Sequence, residues 1–236
     1  MKTRAIFGGI FIAIVLTCLF VGSWAIVLLF SLCTFLGLKE FYRQTEKMKK
    51  AELGVLSPIG IAVGTYLVFS VGVFYILDWS ANWVAVLPVL FAVPLGIGVF
   101  LRLKNGVQSF AYLYLGLIYV ALLFSLIFFW LKDAGIYESK YLFGGLLFIW
   151  ANDVFAYLSG RAFGKTKLIE HVSPNKTWEG TIGGFIAAMI FGFVYSFFLD
   201  LPIISWMGFA FLCAVCASVG DLVESVIKRS LGVKDM

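Results

Sequence analysis

Apolar runs of near 20 residues recur along this chain, separated by short polar segments. The runs are continuous rather than alternating, so they read as helices and not as the strands of a barrel. A helix of about 20 apolar residues crosses a hydrocarbon layer of about 30 Å. The pattern predicts eight spans: Ala5–Phe20, Trp24–Leu38, Pro58–Leu77, Trp83–Leu101, Val107–Leu131, Tyr141–Leu158, Thr181–Leu199 and Ile203–Leu222. The first two share one apolar stretch broken at Val21-Gly22-Ser23, which reads as a tight hairpin or as one long tilted helix. Pro88 and Pro94 predict a kink in the fourth span. The expected fold class is all-α: a polytopic transmembrane helical bundle forming a single integral membrane domain over residues 1–236.

Composition agrees with that pattern. The 236 residues are 62% hydrophobic, 18% aromatic and 13% charged, about half the charged share of a soluble domain. Charge then sets the orientation. If the eight spans alternate, sixteen of the 18 basic residues fall on one side and only Lys132 and Lys140 on the other. The positive-inside rule places both termini in the cytoplasm, and the expected location is the inner membrane. Lys2 and Arg4 ahead of an apolar run resemble a signal peptide. The run resumes at Trp24, however, and an uncleaved first helix is the simpler reading. The basic segment Lys39–Glu52 reads as a topology signal drawn to anionic head groups. All four cysteines lie in apolar runs, and Cys213-x-x-Cys216 has no second pair or histidine beside it, so neither a disulfide nor a metal pair is expected.

Ionisable residues inside spans are costly and mark function by default. Asp153 lies toward the cytoplasmic end of span six, and Asp221 and Glu224 at that of span eight. Asp221 and Glu224 are three residues apart, and Lys228 continues the same helix stripe. Two carboxylates and a lysine on one face suit a hard cation with a phosphate, since Mg²⁺ takes one or two carboxylates plus substrate phosphates. A solvated helix end with a Glu–Lys pair has the same spacing. The loop after span six carries Arg161, Lys165, Lys167 and Lys176 among glycines. "GRAFGKT" falls one residue short of a P-loop and follows a membrane helix rather than a strand. Flexible backbone with several cations still suits a polyphosphate. Ser173-Pro174 reads as a helix cap followed by proline at the first helical position. His171 reads as an ordinary interfacial histidine.

Three stretches, "NDVFAYLSGRAFGKTKL", "SPNKTWEG" and "GDLVESVIKRSLGVKD", taken in this order, resemble the phosphatidate cytidylyltransferases, or CDP-diacylglycerol synthases. The start, "KTRAIFGGI", is similar to the family's usual start. The likeness implies a membrane enzyme, often a homodimer, that joins phosphatidic acid to CTP and releases pyrophosphate in phospholipid biosynthesis, with Mg²⁺ or Mn²⁺ as cofactor and no nucleic-acid partner. Carried over by motif, Asp221 and Glu224 would be metal ligands, and Asp221, Lys228 and Asp153 the catalytic groups. Arg161, Lys165, Lys167, Lys176 and Arg229 would hold phosphates, and Ser173, Asn175, Thr177 and Glu179 would shape the nucleotide side. The family signature continues past "KD" into a Gly-rich segment with a histidine and an Asp-Arg-x-Asp ending. A chain stopping at Met236 is therefore expected to insert in the membrane with little or no activity. Other readings are an isoprenoid-lipid cytidylyltransferase, a lipid kinase, a transporter and a non-catalytic membrane subunit.

Overall fold

A computed structural model describes residues 2–48, 51–77, 86–101, 105–133 and 139–230. The elements are α1 (Lys2–Val21), α2 (Ser23–Lys47), α3 (Leu56–Leu77), α4 (Val86–Phe100), α5 (Gly106–Gly116), a π-helical segment (Leu117–Leu122), α6 (Leu123–Asp133), α7 (Ser139–Phe163), β1 (Lys167–Ile169), β2 (Ser173–Thr177), α8 (Trp178–Phe198) and α9 (Ile203–Ser230). A helix answers each of the eight expected spans. Six are long and apolar enough to cross a membrane on their described residues, while the apolar stretches Ile10–Val21 and Phe91–Phe100 are shorter. The protein is a polytopic, all-α membrane protein with one small hairpin of strands. The chain groups into two compact units, residues 1–137 and 138–236.

In the first unit α3 is the central element, packed against α2, α4, α5, the π segment and α6. Apolar burial drives little helix association in lipid, so close approach by small residues matters more. Gly60 and Gly64 give α3 that surface: a Cβ at Gly60 would lie 2.6 Å from Leu113 and 2.9 Å from Tyr42. The Tyr42 hydroxyl is fully buried and donates to the Leu113 carbonyl at 2.8 Å. The expected break between the first two spans falls at Gly22, whose φ of 122° is open to glycine and strained for other residues. α1 and α2 pack against each other across this break, which favours the folded-back reading over one continuous helix. Pro94 sits inside α4. The π segment had no signal in the hydrophobic pattern, which runs as one apolar stretch over Val107–Leu131.

In the second unit α8 packs against both α7 and α9. Its buried face is a stripe at every fourth position: Gly180, Gly184, Ala188, Gly192 and Ser196. Toward its start the stripe meets α7, where a Cβ on Gly180 would be 2.8 Å from the Ala156 carbonyl and one on Gly184 2.8 Å from that of Asn152. Toward its end it meets α9, where a Cβ on Gly192 would be 2.7 Å from Ala210. Phe148, Trp206 and Ala210 form an aromatic core at that end, and the Tyr195 hydroxyl there donates to the Lys140 carbonyl at 2.7 Å. Backbones held this close fix the register of the three helices, and so the height of every polar group on them.

Candidate functional site

Between α7 and α8 the chain makes a short antiparallel hairpin, β1 with β2, pairing Lys167 with Thr177 and Ile169 with Ser173. Two residue steps on β1 oppose four on β2, so β2 bulges over Pro174-Asn175-Lys176. Bulges re-aim side chains, and here the bulge carries Asn175 and Lys176 to the wall of a cavity. Ser173-Pro174 is thus strand, not the start of a helix as the sequence suggested. Proline supplies φ for either, and its missing N–H is tolerated in a two-stranded hairpin with open edges. Thr177 is the actual cap. Its backbone is extended, with φ −126° and ψ 154°, and its hydroxyl accepts from the Gly180 N–H at 3.2 Å.

The cavity, of about 450 Å³, is lined by α7, β2, the start of α8 and α9. Such a volume is typical of small-molecule sites. Of the residues singled out from the sequence, Asp153, Arg161, Asn175, Lys176, Thr177 and Asp221 line it. Lys176 reaches from β2 to α9, its Nζ 2.6 Å from Asp221 Oδ2. Asp153 lines the same cavity as Asp221 and Lys176. The two carboxylates come from helices about 70 residues apart in the chain, so their meeting is a product of packing. Glycine lets α7 approach the hairpin closely, because a Cβ on Gly160 would be 3.2 Å from the Thr177 hydroxyl.

The other candidates lie elsewhere. Glu224 pairs with Lys228 along α9 at 2.7 Å, both side chains about half exposed and neither lining the cavity. Arg229 is exposed in the last turn of α9. Lys167 closes the hairpin, its Nζ donating to the Pro174 carbonyl at 2.6 Å. Ser173 is a half-buried strand residue paired with Ile169. Glu179 faces the loop rather than the cavity: its carboxylate accepts from the backbone N–H of Lys165 and of Thr166, both at 3.1 Å. The Thr166 carbonyl in turn accepts from the Trp178 N–H at 3.0 Å. Glu179 therefore holds the GKT loop against the start of α8. His171 is exposed in the hairpin turn.

The structure also brings in Asn152 and Ser218, which the sequence reading passed over. Asn152 is only 2% exposed, and its amide donates to Asp153 Oδ1 at 3.3 Å and to Ser218 Oγ at 3.5 Å, tying α7 to α9. Its Oδ1 is buried with no hydrogen-bond partner, which is rare for a buried oxygen. A polar Asn beside an Asp within an apolar run was the available signal. Among the described residues no three acidic, histidine or cysteine side chains converge as a ready metal cage. The arrangement is instead two carboxylates, one ammonium and one guanidinium around an open cavity, while the orphan amide oxygen of Asn152 packs against Gly184 of α8. That set can neutralise a polyanion while leaving oxygen ligands for a hard cation.

Comparison with known proteins follows the same lines. The chain is 42% identical over 107 residues to the phosphatidate cytidylyltransferase of Haemophilus influenzae (strain ATCC 51907 / DSM 11121 / KW20 / Rd), a match covering 43% of this chain and 36% of that protein. Against the phosphatidate cytidylyltransferase of Staphylococcus haemolyticus (strain JCSC1435) it is 30% identical over 238 residues, 100% of this chain and 88% of that one. The phosphatidate cytidylyltransferase of Staphylococcus aureus (strain COL) is 28% identical over 242 residues, with the same coverage. The family profile described as "Cytidylyltransferase family" matches residues 2–236. With that match running through both units and every residue of the cavity, the chain belongs to the cytidylyltransferase family.

Proposed function

We propose that this protein is a phosphatidate cytidylyltransferase, which joins CTP to phosphatidic acid to give CDP-diacylglycerol and pyrophosphate. The observation that carries the reading is the cavity where Asp153 and Asp221 face Lys176 and Arg161. A phosphate oxygen of the lipid attacks the α-phosphorus of CTP. A new P–O bond forms, the bond between the α- and β-phosphates breaks, and pyrophosphate leaves with the electron pair. Such transfers need positioning and charge neutralisation more than covalent help from the protein. Arg161 and Lys176 hold phosphate oxygens. Asn175 and Thr177 shape the cavity wall beside them.

Mg²⁺ or Mn²⁺ fits the donors present. Asp221 and Asp153 are hard oxygen donors on one cavity, and bound there the ion would neutralise charge building on the phosphates. Asp153 takes the place that sequence spacing assigned to Glu224. The ion pair of Lys176 with Asp221 keeps each group in place until a phosphate competes for the lysine. The hairpin end of the second unit faces the cytoplasm, where the basic residues of its loop favour the inner side of the membrane and CTP is present. The acyl chains of the substrate stay in the bilayer of the inner membrane.

Transfer of label from α-labelled CTP into phosphatidate vesicles tests this, both with residues 1–236 alone and with residues 1–236 followed by the family's C-terminal segment. Label in lipid is the expected result. Asp221→Asn should lower it by about 10²–10³-fold, the usual cost of losing one charge-stabilising group. Absence of label in both chains, or faster labelling of isoprenoid lipid or from ATP, would overturn the assignment.

A further inference from the structure

Tyr157 lines the cavity from α7, one turn from Asp153 on one side and one turn from Arg161 on the other. Residues four apart are neighbours on a helix surface, so the three form a single stripe. A carboxylate stands at one end of it and a guanidinium at the other. Each step along the stripe rises about 6 Å. The tyrosine therefore lies between the end of the wall that suits a cation and the end that suits a phosphate.

The protein makes no use of this hydroxyl. Tyr42, Tyr114 and Tyr195 each donate to a backbone carbonyl, as a packed tyrosine ordinarily does. Tyr157 is 64% exposed and forms no hydrogen bond or ring contact among the described residues. Arg161, one turn on, likewise forms no ion pair among the described residues, whereas Lys176 is held by Asp221. The two sides of the stripe differ. On one side Ala156 and Gly160 lie against Gly180 of α8. On the other, Val154 and Leu158 are 53% and 49% exposed. Tyr157 thus stands at the rim where the cavity wall turns into the open apolar flank of a helix long enough to span the membrane. A diacyl lipid whose phosphate enters the cavity keeps its chains on that apolar side, so its phosphate is the substrate group that reaches this rim.

We propose that Tyr157 is a binding residue for the lipid substrate, its hydroxyl donating to a phosphate oxygen of phosphatidate beside Arg161. The inference rests on the phosphatidate cytidylyltransferase reading and adds which of the two substrates this part of the wall takes. A phosphate offers the hydroxyl a charged acceptor, and hydrogen bonds to charged groups are the stronger kind. Diacylglycerol, which lacks the phosphate, offers none.

Titration calorimetry of residues 1–236 in detergent, with dioctanoyl phosphatidate, dioctanoylglycerol and CTP as separate ligands, tests the proposal. Tyr157→Phe keeps the ring and removes only the hydroxyl, and its Tm should match that of the native chain. The variant should bind phosphatidate about tenfold more weakly, the order expected for one hydrogen bond to a charged group. Its binding of dioctanoylglycerol and of CTP should not change. In a chain that labels lipid, the same variant should raise the KM for phosphatidate and leave that for CTP alone. Undiminished phosphatidate binding by Tyr157→Phe would overturn the inference and leave the reading of the reaction standing. Equal losses for phosphatidate and dioctanoylglycerol would make Tyr157 an interfacial anchor, and a loss for CTP alone would give the hydroxyl to the nucleotide; either result overturns it. Failure of the native chain to bind phosphatidate would remove the reading and the inference together.

Discussion

Lys176 and Glu179 stand three residues apart and do different work. Lys176 leaves the hairpin to meet Asp221 across the cavity, whereas Glu179 turns away and binds two loop amides. Between them Thr177 ends the strand and begins the helix. Its hydroxyl serves one of the N–H groups that a helix start leaves without a partner. Thr177→Ala should cost about 1 kcal/mol, read as a lowered Tm in detergent. An unchanged Tm would remove the cap from the account. The candidate site was legible at this level only for residues whose type is costly in a membrane. Asp153, Asp221 and the loop cations stood out in the sequence. The orphan oxygen of Asn152 did not, because an amide carries no charge and its lack of a partner appears only in the packed state.

The glycine stripe of α8 and the paired glycines of α3 look alike in sequence but meet different neighbours. At Gly184 a Cβ would press on the backbone carbonyl of Asn152 at 2.8 Å and on its side-chain oxygen at 2.6 Å, and backbone gives way little. At Gly64 the nearest atom is the flexible tip of Leu38. Gly184→Ala should therefore destabilise by about 1–3 kcal/mol and disturb the cavity. Gly64→Ala should cost distinctly less. Thermal unfolding of the two variants side by side measures the difference, and equal losses would contradict the contrast. The helices themselves were plain in the hydrophobic pattern. The hairpin was not, because Lys167–Thr177 is too short and too polar for a strand period to emerge, and Ser-Pro serves a helix start equally well. Nor was the division of labour on α9, where Asp221 and Glu224 share a stripe in sequence, yet only Asp221 reaches the cavity.

For the chain as a whole, α8 decides the topology of the second unit. Its 21 residues, Trp178–Phe198, rise about 31 Å, enough to separate the hairpin from the turn that follows Phe198. In a background with Cys18, Cys33, Cys213 and Cys216 replaced by alanine, Glu170→Cys and Pro202→Cys should react from opposite sides of the membrane. An impermeant thiol reagent applied to intact cells should label Pro202→Cys alone. The reverse pattern would invert the orientation read from the basic residues, and labelling of both from one side would remove α8 as a span.

Hydropathy along the chain was enough to specify the membrane-spanning helices and their approximate ends. Each of these depends on one residue's transfer between water and lipid, a property each side chain carries with it. The motifs added the family. Which charges act together was settled by packing alone. Asp153 and Asp221 meet because small residues let α7, α8 and α9 approach closely, and Lys176 joins them because a bulge turns it inward. Glu224, Lys228 and Arg229 do not line the cavity: a helix advances about 1.5 Å with each residue, so positions further along α9 carry a side chain beyond the cavity's reach.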